Sequence, residues 1–231
     1  VRGIARDLAA AGMGTLKPEP KLGLVEGKAE CPVDIKLEFS SDTADACPVF
    51  AGRLITGVKN GPSPEWLQRR LKAIGLRPIA TLVDITNYIT FAYGRPLHVF
   101  DADKVKGNIR ARMARDGEEL AALDGKTYAL TAEMTVIADD NSVEGIAGII
   151  GGEHSGCSET TTNVFLEAAY FDPLRTAATG RKLGVISDAR YRFERGVDPG
   201  FILPGLDLAT ATMMEVAGGK PSKSKVAGAP P

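Results

Sequence analysis

Glu167 stands alone among apolar neighbours in Val164-Phe165-Leu166-Glu167-Ala168-Ala169-Tyr170-Phe171, the pattern of a strand buried on both faces. A carboxylate placed there loses its hydration, at a cost of several kcal/mol unless donors or a cation compensate. Two chemistries fit. One is a structural carboxylate, satisfied by backbone amides or by one of the arginines that follow. The other is a recognition group at the bottom of a pocket, aimed at a donor on a ligand. His98, in Pro-Leu-His-Val-Phe, leaves a similar choice between a hydrogen-bonded core residue and a group that holds or polarises a water near neutral pH. Thr86 and Asn87 lie a short way upstream across a glycine turn and could come close to it. No Ser-His-Asp spacing and no nucleophile elbow accompanies these residues, so covalent catalysis has no support.

The glycine cluster over residues 145–153, G-I-A-G-I-I-G-G-E, fails as a phosphate loop, because no Lys-Ser/Thr follows and no periodic helix begins there. It reads better as a strand whose glycines admit another backbone or a ligand, with Gly151 ending the apolar run where a pocket floor could be. Arg175, Arg181, Lys182, Arg190, Arg192 and Arg195 form a basic stretch, either a solvated face with local salt bridges or a phosphate-binding one. Two histidines, His98 and His154, cannot build a zinc site without distant ligands, and metal catalysis is discounted. The cysteines, Cys31, Cys47 and Cys157, lack C-x-x-C spacing and read as reduced, structural thiols of a cytosolic protein.

The elements that must position these groups can be traced along the chain. Residues 1–13 read as an amphipathic helix with Ile4 and Leu8 on one face, starting without a cap or an initiator methionine, as a piece of a longer polypeptide would. Residues 14–30, with Pro18, Pro20, Gly23 and Gly27, read as a connector. Val33, Ile35, Leu37 and Phe39 alternate with polar residues as a half-buried strand, and residues 48–59 supply another. Ser63-Pro64-Glu65 opens a helix closed by Gly75, and residues 82–93 form a second, ended by Gly94. From 97 to 171 the signals are mainly β: residues 109–113, 134–138, 145–150 and 164–171 are strands, with hairpin turns at Asp116-Gly117 and Asp124-Gly125. Asp172-Pro173 caps a helix to about Leu183; residues 200–217 form a last helix, broken early by Pro204-Gly205; the tail 220–231 reads as a linker. The order predicts an α+β fold, a β-rich sandwich or barrel-like core with several peripheral helices. Domain limits follow: 1–30 the end of a preceding domain and a connector, 31–219 the main domain, 220–231 a linker.

With 231 residues and 44% hydrophobic content the chain can bury a large core, and its net charge of −1 argues against a stand-alone high-affinity nucleic-acid binder. No apolar run approaches the roughly 18 residues of a membrane span.

GLRPIATLVDITNYITFAYGRPLHVFDADKV, AGIIGGEHSG, VFLEAAYFDP and SDARYRFERGVDP resemble, in this order, signature segments of the bacterial phenylalanyl-tRNA synthetase beta subunit, in its central editing domain. The resemblance covers about residues 40–219. It implies a module that hydrolyses mischarged tyrosyl-tRNA(Phe) with a positioned water. Partners would be the synthetase alpha subunit in an alpha-two beta-two tetramer, the 3′ end of tRNA(Phe) and the tyrosine moiety. ATP and magnesium would serve the parent enzyme, with no cofactor in this part of it. Glu167 and the backbone at Gly151 would read the tyrosine hydroxyl, Arg77, Ser187 and Ala189 would line the same pocket, and His98, Thr86 and Asn87 would orient the water. The family commonly has threonine where this chain has Ser187, which leaves any packing role of that methyl open. A non-catalytic RNA-binding or structural module is the competing reading.

Overall fold

The computed structural model describes residues 1–18 and 27–231. Of the expected connector 14–30, Pro20 and Gly23 lie outside the described residues. Period-two alternation sets the architecture. In β10 (Asn163–Tyr170), Val164, Leu166 and Ala168 join one hydrophobic core while Phe165 and Ala169 join another. The strand is paired on both edges, antiparallel to β2 (Val49–Thr56) along its whole length and to β3 (His98–Asp101) from Val164 to Glu167. Short β11 (Lys220–Pro221) and β12 (Lys225–Gly228) complete this sheet on the far edge of β2. A second sheet runs in the order β1 (Ile35–Glu38), β4 (Ile109–Met113), β7 (Thr135–Ala138), β8 (Val143–Ile146), β9 (Ile150–Gly151); its first pair is parallel and the rest antiparallel. β5 (Glu119–Ala121) and β6 (Thr127–Ala129) form a separate hairpin around Asp124-Gly125.

Phe50, Phe100 and Phe165 of the first sheet meet Ile109 and Ile137 of the second in a core between the sheets. The outer face of the first sheet is covered by α2 (Glu65–Ala73), α3 (Thr81–Tyr93) and α6 (Ile202–Ala217), through Leu67, Leu71, Ile85, Leu206 and Met213. α4 (Pro173–Leu183) and α5 (Asp188–Phe193) follow β10, and α1 (Arg2–Ala10) lies outside with Ile4 and Leu8 exposed. The α+β expectation holds as a sheet sandwich flanked by helices; among the described residues neither sheet closes into a barrel.

Several local expectations are corrected. The first helix ends at Ala10. Asp116-Gly117 turns the chain but joins β4 to β5, which belong to different sheets. Residues 145–150 are two strands with a turn at Gly148, whose φ of +70° suits glycine, and a Cβ there would stand 3.1 Å from the Phe171 ring. α6 runs through Pro204-Gly205 without a break. It starts at Ile202, so Pro204 falls in the first turn, where no amide is needed. Residues 220–228 pair with β2 instead of forming a linker; lysines and a proline on an edge strand give the composition of a linker.

Ser63 does not cap α2. Pro64 holds the N-cap position, and buried Ser63 Oγ donates to Asp84 Oδ2 at 2.6 Å. Asp84, fully buried in the first turn of α3, also accepts from the Ile79 amide at 2.8 Å, so one carboxylate ties together the starts of both helices. Replacing Asp84 by Ala leaves both donors unmet. It is expected to lower stability by about 2–4 kcal/mol, read as a lower urea midpoint with unchanged slope.

Candidate functional site

A cavity of about 120 Å³ opens between the sheets, close to the roughly 150 Å³ that admits a benzene ring in an engineered protein core. β10 gives it Glu167, β3 gives His98 and Phe100, the β8–β9 hairpin gives Gly145 through Gly151, and α5 gives Ala189 and Phe193. Backbone register brings the two polar groups together: Glu167 sits opposite His98 on one side and opposite Gly52 on the other. Gly151 is required by close approach, since a Cβ there would lie 2.9 Å from His98 Nε2.

Glu167 is 7% exposed and makes no hydrogen bond or ion pair among the described residues. Burial pushes its carboxyl up to about 8, against the opposing pull of the Arg95 charge. The structural alternative, a carboxylate bonded to an arginine, is therefore not what the chain contains. His98 packs edge-on against Phe100, with ring centres 4.3 Å apart, and its Nε2 is buried without a partner. Burial lowers this imidazole to about 4. At neutral pH the cavity thus presents a neutral acid and a neutral imidazole, both with unmet hydrogen-bonding capacity, beside an aromatic-sized space. Such a pair can recognise a ring carrying a hydroxyl and can hold a water; it is a poor strong-base device.

The other expected residues lie elsewhere. Ser187 caps α5, accepting from the Arg190 amide at 3.0 Å, and donates to the Ile149 carbonyl at 2.6 Å. It fastens α5, and with it Ala189, to the hairpin without lining the cavity. Thr86 and Asn87 are on α3, which packs on the outer face of the sheet, and the buried Thr86 hydroxyl donates within the helix to the Val83 carbonyl at 2.8 Å. Arg77 is exposed on the connection from α2 to α3. None of these three lines the cavity. Most of the basic stretch is tied up in ion pairs, Arg175–Asp45, Lys182–Glu133, Arg190–Glu194, Arg192–Asp188 and Arg195–Glu194. Among the described residues no cluster of three or more His, Cys, Asp or Glu side chains could hold a metal, and no helix is long and apolar enough to cross a membrane. Sequence reasoning passed over Phe171, Phe193 and Arg95, although each lies within the motifs singled out.

Residues 46–218 match the family model described as the B3/4 domain. The phenylalanine--tRNA ligase beta subunit of Paramagnetospirillum magneticum is 63% identical over 231 residues, covering 100% of this chain and 29% of that protein. That of Mesorhizobium japonicum is 60% identical over 228 residues, covering 99% of this chain and 28% of that protein. The chain thus spans under a third of the length of these curated relatives. A solved N-terminal fragment of the phenylalanyl-tRNA synthetase beta-subunit from Pyrococcus horikoshii overlays with a TM-score of 0.44 at 17% identity, covering 79% of this chain and 56% of that one, a likeness too loose to carry argument.

Between about pH 4.5, where the unfolded Glu167 releases its proton, and about 8, where the folded one does, the folded chain binds the extra proton. Stability therefore falls as pH rises through that window. His98 acts oppositely: the folded imidazole resists protonation, so its contribution is lost as pH falls from 6.5 to about 4. Glu167→Gln is expected to gain on the wild type by several kcal/mol from pH 5 to pH 8, measured by denaturant unfolding across that range.

Proposed function

Because the chain belongs to the B3/4 domain family and aligns along its whole length with part of phenylalanine–tRNA ligase beta subunits, we propose that it removes tyrosine attached in error to tRNA(Phe). The observation that carries this reading is the buried carboxyl of Glu167, without a partner, beside a space the size of one ring. A hydrophobic pocket built for phenylalanine rejects an added hydroxyl by only about a hundredfold. A second site can reverse the demand by requiring the hydroxyl. Tyrosine gives Glu167 the partner it lacks, whereas phenylalanine leaves it buried and unpaired, at about 1–3 kcal/mol.

Hydrolysis then needs a water placed against the ester carbonyl, with the terminal ribose hydroxyl of the tRNA as leaving group. His98 Nε2, in the tautomer protonated on Nδ1, is the acceptor in the wall that can hold such a water. Its low basicity makes positioning, not proton abstraction, the source of rate. Thr86 and Asn87 lie on α3, across the first sheet from this cavity, and are left out of the arrangement. The fuller setting is also proposed: a cytoplasmic ligase in which an alpha subunit supplies the synthetic site, with ATP and magnesium serving that half. A net charge of −1 gives the chain by itself little hold on a polyanion, so its own deacylation should be weak.

The test is deacylation of tyrosyl-tRNA(Phe) by the ligase containing this chain. Ala189→Trp fills the cavity and should abolish clearance. His98→Ala should slow it by about tenfold or more, the worth of one well-placed hydrogen bond. Glu167→Ala should erase the preference for tyrosyl over phenylalanyl ester before it stops hydrolysis. Normal clearance by all three would leave a binding or structural module.

A further inference from the structure

Arg95 is 1% exposed, and nothing in the chemistry above uses it. From the turn after α3 it crosses Gly205 of α6, where a Cβ would stand 2.7 Å from its Cγ. Its guanidinium ends behind the cavity wall, 5.4 Å from the centre of the Phe193 ring. Nε donates to the carbonyl of Pro96, a lining residue, at 3.2 Å. Nη2 donates at 2.7 Å to the carbonyl of Ala169, which stands two places along β10 from Glu167 and on the same side of the strand. Nη1 is buried and has no partner. Burying a guanidinium with a donor unmet is expensive, and an apolar side chain of similar volume would pack as well or better.

We propose that Arg95 is a positioning residue, the counter-charge that lets Glu167 ionise when a ligand hydroxyl reaches it, and that it thereby sets the preference for hydroxylated over plain aromatic side chains. The inference rests on the reading of Glu167 as a hydroxyl sensor. In the ligand-free chain burial outweighs Arg95 and the carboxyl keeps its proton. A phenol that donates to the carboxylate adds a second favourable interaction to the anion; the carboxyl proton passes to solvent, and Arg95, Glu167 and the phenol form a chain of cation, anion and donor. A phenyl ring adds nothing, and the carboxyl stays neutral.

The groups around Glu167 leave this role to Arg95. His98 faces it from β3 but is held neutral, and Cys47, ahead of β2, is a buried thiol whose ionisation burial and Glu167 both oppose. The β8–β9 hairpin and α5 present glycines, Ala189 and apolar side chains to the cavity. Asp198 acts on Arg95, not on Glu167.

Titration of the Glu167 carboxyl by NMR in the chain carrying ¹³C at glutamate Cδ, assigned with Glu167→Gln, tests the proposal. Saturating L-tyrosine should lower the wild-type midpoint by about a pH unit or more, and L-phenylalanine should leave it in place. Arg95→Gln should raise the ligand-free midpoint and lose the response to tyrosine, whereas Arg95→Lys should keep the response. A folded Arg95→Gln variant that titrates and responds as the wild type does overturns this proposal alone. If the Gln variant does not fold, a folded Arg95→Lys variant that has lost the response overturns it equally. A wild-type chain indifferent to tyrosine removes the reading of the cavity, and this inference with it.

Discussion

The pairing of β10 on both edges is the constraint from which the rest follows. A strand held by β2 on one side and β3 on the other cannot slip by one residue without sending every side chain to the opposite face. Val164, Leu166 and Ala168 are needed under the helices, and Phe165 and Ala169 are needed between the sheets. Parity therefore commits residue 167 to the space between the sheets, and in this chain that residue is a glutamate. The ladder itself takes up the backbone hydrogen bonds on both edges, so it has nothing to offer the side chain. Burial and lack of a partner are consequences of register.

The space that receives Glu167 is likewise held open by backbone. Glycines at 145, 148 and 151 let the β8–β9 hairpin approach without filling the gap, and the Ser187 cap fixes α5 so that Ala189, not a longer side chain, closes the remaining wall. Cavity volume costs about 24 cal/mol per Å³, so a space of about 120 Å³ represents roughly 3 kcal/mol of forgone packing. A fold stabilised for its own sake would close it with a larger apolar side chain in place of Ala189. The same holds for the uncompensated polar atoms of Glu167, His98 and Arg95, each of which an apolar residue would remove.

Much of this was legible in the residues, and the limits have physical causes. β10 follows from its near-continuous apolar run, and α3 and α4 from Gly94 and from the Asp172 cap, whose side chain accepts from the Arg175 amide. Glu167, His98, Gly151 and Ala189 do converge on one cavity. The hairpin inside 145–151 was hidden because an apolar run carries no mark of where it reverses. The edge strands at 220–228 were hidden because charge and proline on an edge mimic a linker. Arg77 entered by resemblance, and Thr86 and Asn87 by their spacing from His98 as well; their neighbours in sequence gave no way to tell which face of the sheet α3 would cover. Arg95 follows a turn glycine, where an arginine ordinarily reaches solvent; only the gap left by Gly205 in α6 brings it inside.

If the proposed function holds, a neutral acid facing a neutral imidazole suits a site whose task is refusal. A charged carboxylate fixed in the cavity would draw any donor, including water and the ammonium group of either amino acid, and would discriminate poorly. A carboxyl that stays protonated until the right donor arrives makes binding conditional on that donor. On the proposal for Arg95, the energy for ionisation would come from the phenolic hydrogen bond and from a cation already buried behind the wall. On the proposed function, selectivity would arise because the competing ligand cannot supply the donor and leaves a partnerless polar group behind. The discriminating group and the group that holds the water can then be different residues, so that loss of specificity and loss of rate need not coincide.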